Sequence, residues 1–72
     1  MAHYLIHGWT NGGWDVKDTA TSLRKAEKVA RNTMSGFSAD SGSHVRIYKM
    51  DQRQPIRAWS GTTSGKWIPV TI

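Results

Sequence analysis

Apolar residues alternate with polar ones in short runs near both ends of this chain and follow a helical rhythm in the middle. Residues 3–10 read as a strand, because strand side chains alternate faces with period two. Asn11-Gly12 follows, a strong hairpin signal, since both turn positions call for positive φ. Residues 13–17 can return as a short edge strand, with Trp9 facing Trp14 and His7 facing Val16 across a two-residue turn. Asp15 and Lys17 would then guard the edge. Ser22, with Thr21 beside it, is an N-cap candidate for a helix over residues 23–34. Leu23, Ala26, Ala30 and Met34, with Val29 and Thr33, form its inward stripe. Gly36 is the expected stop, and Phe37 is expected to fold back onto the core. A polar loop over residues 38–43 precedes two further strands, 44–50 and 55–60. Pro55 suits the first position of a strand. After a turn at residues 61–65, residues 66–72 form a last strand that Pro69 assigns to an edge.

Strict alternation divides the 44–50 and 55–60 pair. Val45 and Ile47 are expected to share one face with Ile56 and Ala58. The other face would display Arg46, Tyr48, Arg57 and Trp59. The predicted fold is α+β: a single antiparallel sheet of four to five strands, in the order β(β)αβββ, with one helix across one face. It forms one small domain over residues 1–72. The expected core is Leu5, Leu23, Ala26, Ala30, Phe37, Val45, Ile47, Ile56, Ala58, Ile68 and Val70. Tyr4 and Ile6 compete with Leu5 for the inward side of the first strand, and alternation alone leaves that register open.

Composition sharpens this picture. The chain has 72 residues and no cysteine, so neither a disulfide nor a thiolate metal site can support it, and the four tryptophans become important core material. Homodimerisation would be a second source of stability. Ten Lys and Arg against five Asp and Glu give a net charge of +5, which favours polyanions or acidic protein surfaces. On the helix, Arg24, Lys28 and Arg31 line the outer side, and Glu27 is placed to pair with Arg24 or Arg31. The first helical turn holds two cations, Arg24 and Lys25, and no acid. That opposes the helix dipole and suggests a used basic surface. No run approaches the roughly 18 apolar residues of a membrane span. The first residues lack the pattern of a signal peptide. These features predict a cytoplasmic protein with no membrane partner.

Catalytic and metal chemistry have thin support. His3 and His7 lie four apart on one strand, about 13 Å along it, too far for one metal ion. No phosphate-loop glycine spacing is present. No cofactor, metal or catalytic residue is expected. One enzymatic alternative rests on Gly42-Ser43-His44, which resembles the Gly-Ser-His signature of HicA-type toxin ribonucleases. That resemblance would make His44 a general acid or base in RNA cleavage. The strand before the motif and the C-terminal helix of that family have no counterpart in the pattern here.

A second resemblance covers nearly the whole chain. Residues 2–6, the Ser22-Leu23 opening of an alanine-rich helix, Val45-Arg46-Ile47, Ile56-Arg57-Ala58-Trp59 and Gly65-Lys66-Trp67-Ile68 are similar in order and spacing to small phage-encoded anti-CRISPR proteins of type I-F. The resemblance implies a β-α-β-β-β fold and a non-enzymatic inhibitor. Such an inhibitor occupies the backbone of a guide-RNA surveillance complex in the host cytoplasm. It points first to Lys66, then to Lys28 and Arg31. Two binding surfaces are therefore expected: Arg46, Tyr48, Arg57, Trp59 and Lys66 on the sheet, and Arg24, Lys28 and Arg31 on the helix. The partner would be a host protein or ribonucleoprotein. Direct binding of DNA or RNA by the same Arg and aromatic face is the alternative.

Overall fold

The computed structural model describes residues 3–37 and 39–71. Its elements run β1 (Tyr4–Trp9), β2 (Asp15–Ala20), α1 (Leu23–Gly36), β3 (His44–Lys49), β4 (Pro55–Gly61) and β5 (Trp67–Pro69). The strands make one antiparallel sheet in the order β2-β1-β3-β4-β5, and α1 packs across β1, β2 and β3. This is the expected α+β architecture, with β2 and β5 as the edges. Among the described residues, no helix is long and apolar enough to cross a membrane.

The first hairpin closes one residue later than a two-residue turn would. Trp9 pairs with Asp15, Gly8 with Val16 and His7 with Lys17. The Gly13 amide donates to the Thr10 carbonyl, and Gly13 has φ +96°. A turn followed by one left-handed residue is the usual three-residue hairpin loop, and glycine adopts it without strain. The expected Trp9–Trp14 and His7–Val16 pairs are therefore replaced. Trp14 instead lies on the loop with its ring 6.1 Å from Phe37.

Ser22 caps α1, its hydroxyl accepting from the Lys25 amide at 3.2 Å. Ala26 and Ala30 are fully buried, while Leu23, Val29, Thr33 and Met34 flank them half-buried. Small residues let the helix sit close to the sheet. Gly8 completes that approach: a Cβ there would lie 2.9 Å from Thr33 Cγ2 and 3.6 Å from Phe37 Cε2. Also at the C-terminal end of α1, the Trp67 indole N–H donates to the Met34 carbonyl at 3.0 Å. This satisfies one of the carbonyls that a helix C-terminus leaves unpaired.

The core is Ile6, Ala20, Val45 and Ile47 from the sheet against Ala26 and Ala30 of α1, flanked by Tyr4, Leu23, Val29, Met34, Ile56, Trp59 and Trp67. Five expected core residues lie outside this cluster. Phe37, half-buried past the end of α1, packs against Trp14 at the hairpin loop. Ile6 is buried and opposes Ile47, so Leu5, paired with Tyr48, points away from the helix. Ala58 opposes Arg46 on that same uncovered side. Ile68 and Val70 are exposed at 48% and 44%. Ile68 opposes Ser60 on the uncovered side, and the Val70 amide bonds the Ala58 carbonyl.

Candidate functional site on the uncovered sheet face

The largest correction concerns β4. Directly opposed residues of an antiparallel pair share a face. Trp59 opposes Val45 and Arg57 opposes Ile47, so both lie on the helix side. The ladder then shifts, with Tyr48 pairing with Pro55 and Ile56 left as an extra residue. Such a bulge sets two residues against one. Ile56 accordingly packs on the core with Arg57 beside it. Arg57 Nε lies 3.5 Å from Glu27 Oε1 on α1, and this replaces the expected Glu27 pairing within the helix. Arg57 and Trp59 therefore do not join Arg46 and Tyr48 in one surface.

The uncovered face is built from other positions. Its central strands contribute Leu5, His7 and Trp9 from β1, paired with Tyr48, Arg46 and His44 from β3. Asp15, Lys17 and Thr19 of β2 oppose Trp9, His7 and Leu5 on one flank. Ala58, Ser60 and Ile68 continue the face on the other. Among the described residues, no second helix lies over this side.

Its most organised part is one corner. His7 Nε2 and Asp15 Oδ1 are 2.6 Å apart. The His44 ring stacks on Trp9 at 5.6 Å with 19° between planes, and meets the His7 ring edge-on at 5.8 Å. Burial lowers the His44 pKa, the Arg46 guanidinium and His7 lower it further, and Asp15 opposes them. His44 is thus biased toward neutral imidazole. His7, Trp9, Asp15 and Leu5 were not among the expected site residues. Their signal was the period-two spacing of Leu5, His7 and Trp9, which matches that of His44, Arg46 and Tyr48.

Gly42-Ser43-His44 has a conformational explanation. Gly42 holds φ +93° in a turn closed by the Ser43 amide and the Asp40 carbonyl at 3.0 Å. Ser43 is fully buried, and its carbonyl accepts from the Gly61 amide at 2.8 Å. Ser43 has no access to a substrate, so of the three residues only His44 reaches the uncovered face. Among the described residues, no three His, Cys, Asp or Glu side chains group as metal ligands.

The helix carries a second, separate surface. Arg24, Lys28 and Arg31 are all exposed, spaced to fall on one stripe of α1. Lys66 is exposed next to the β4–β5 turn, where the Thr62 amide and hydroxyl bond its carbonyl. The expected single surface is thus divided, with Arg46 and Tyr48 on the uncovered face and Arg57 and Trp59 on the helix side. The outer stripe of α1 is cationic, while aromatic, apolar and imidazole groups surround Arg46 on the uncovered face, with Lys17 at its flank.

No protein-family model, curated protein or solved structure matches this chain.

Proposed function

We propose that this protein is a non-enzymatic binding protein that docks its uncovered sheet face onto a nucleic-acid-handling partner, a protein or ribonucleoprotein. The observation that carries this reading is the content of the two central strands on that face: Trp9, His44, Arg46, Tyr48 and Leu5 together, with no element of the described chain over them. Trp, Tyr and Arg dominate interface energetics. The one acidic side chain in that corner, Asp15, is already engaged by His7. The net charge of +5 favours a partner with acidic or phosphate-bearing surfaces and speeds encounter with it. The sequence resemblance to phage anti-CRISPR proteins gives this reading its specific form, an inhibitor that obstructs a host defence complex.

The test is affinity capture of the tagged protein from a bacterial lysate, with and without nuclease, using face-specific variants. A complex that survives nuclease, disappears with Arg46→Glu and persists with Lys28→Glu supports docking through the sheet. A complex lost with Lys28→Glu and indifferent to Arg46→Glu would move the binding surface to the helix and overturn the reading. Capture that vanishes with nuclease would make nucleic acid itself the ligand.

A further inference from the structure

The corner formed by Asp15, His7, His44, Trp9 and Arg46 brings two imidazoles and a guanidinium together on adjacent strands, with one carboxylate, Asp15, bonded to His7. Arg46 opposes His7 in the ladder, and His44 opposes Trp9 one pair further along. The remaining groups around it are few. On β2, Asp15 bonds His7, and Lys17 opposes His7. On β3, Tyr48 follows Arg46. On β4, the neighbours of His44 and Arg46 are the uncharged Ser60 and Ala58. Among the described residues, the ion pairs are His7–Asp15 and Arg57–Glu27, so Arg46 has no carboxylate partner.

Asp15 is bonded to His7, which leaves Arg46 and a protonated His44 to repel one another with no carboxylate bonded to either, and an anion between them would relieve that repulsion. Beside them, the Trp9–His44 stack presents a planar aromatic step on an open sheet. Cations next to a stacking ring match a nucleotide unit, in which a phosphate lies within reach of a base. A carboxylate ligand would use the cations and leave the stack unused.

We propose that this corner is a nucleotide subsite for single-stranded nucleic acid, with Arg46 and His44 receiving the phosphate and Trp9 stacking the base. This rests on the sheet face being the ligand-binding face, and it names what that face grips in a nucleic-acid-handling partner. Binding is coupled to protonation. Burial, then Arg46 and His7, lower the His44 pKa in the free protein, with Asp15 opposing them. A phosphate favours the imidazolium, so affinity rises as pH falls below the ordinary histidine range.

The experiment is fluorescence anisotropy of a labelled oligothymidylate and a labelled oligouridylate with the purified chain. Between about pH 7.5 and pH 5.5, the dissociation constant is expected to fall by roughly tenfold. His44→Gln is expected to remove most of that change, and Arg46→Gln to weaken binding at every pH. His3→Gln, at an exposed position away from the corner, should retain the full pH response. NMR titration of the unaltered protein, which needs no variant to fold, should show the His44 midpoint moving up when oligonucleotide is present. An unchanged His44 midpoint, or a pH response equal in the His44→Gln protein, overturns the proposal. A sheet-face partner captured from lysate with no oligonucleotide binding would remove the nucleotide subsite and leave the docking reading standing. The opposite pair of results would remove the protein partner and keep the subsite.

Discussion

At the scale of single residues, Gly8 and Thr33 show how closely the helix is set. A methyl group added at Gly8 would meet Thr33 Cγ2 at 2.9 Å, while the Thr33 hydroxyl donates to the Val29 carbonyl at 2.9 Å. Gly8→Ala should therefore cost about 1–2 kcal/mol through overpacking. Thr33→Ser keeps the hydroxyl and deletes the offending methyl, so the double variant should recover most of the loss. Urea unfolding of the four proteins in the cycle measures this; additive effects would show that Thr33 is not what limits the approach. Trp59 gives a second residue-scale prediction. It faces the helix side and packs on the core, so Trp59→Ala should destabilise the fold by about 2–3 kcal/mol, below the range for a fully buried Trp because Trp59 is half-buried. Thermal unfolding separates this from a purely surface role, in which the midpoint would not move.

At the scale of elements, the helix and the succession of strands along the chain were legible in the sequence, while the facing of β1, β4 and β5 was not. The Ser22 cap, the Ala26–Ala30 stripe and the Gly36 end are local features, set by chemistry within a turn or two. The inward side of β1 depends on a distant constraint: the close approach of α1 requires a small residue at Gly8, which puts Ile6 inside and Leu5 outside. For β4, alternation of Ile56 and Ala58 against Arg57 and Trp59 fits either facing. The choice is made by the register against β3 and by the extra residue at Ile56. Burying an indole gains more apolar contact than burying a methyl, which favours Trp59 over Ala58 on the helix side. The Asp15–His7–His44 corner was hidden for the same reason, since it needs three strands in correct register. The helix also carries a prediction. Its first turn has no acidic residue, although acids there interact favourably with the dipole. Arg24→Glu should raise stability by about 0.3–1 kcal/mol, as read from denaturant midpoints. If the same variant also lowers affinity for polyanions such as heparin, the stripe of Arg24, Lys28 and Arg31 is retained for binding at the expense of the helix. Unchanged affinity would leave the stripe a solvated surface.

At the scale of the whole molecule, one sheet with a helix on a single side leaves half of its side chains without a covering layer. The core beneath α1 is small, with Ile6, Val45 and Ile47 its largest fully buried apolar side chains. In so small a fold, perturbations at the uncovered face should register in overall stability. His44 provides the test. Its pKa in the folded protein lies below the ordinary value near 6.5, through burial first and then Arg46 and His7, with Asp15 opposing. Between that lowered value and about 6.5 the unfolded chain binds more protons than the folded one, so stability increases with pH there. The contribution of neutral His44 is complete above about 6.5 and is lost as pH falls through the folded pKa, where the loss levels off. Carboxylates titrate mostly below about pH 5, so the window just under pH 6.5 reports chiefly on histidine. The unfolding midpoint should therefore drop on acidification across that window, and His44→Gln should flatten the drop. Arg46→Gln removes one of the charges that depress His44 and should narrow the window from its acid side. A midpoint that falls equally in the His44→Gln protein would place the proton elsewhere. A bound nucleotide should act in the opposite direction, because its phosphate favours the protonated ring. Adding oligonucleotide at about pH 5.5 should restore stability more than adding it at about pH 7.5, which ties the fold and the proposed ligand to the same imidazole.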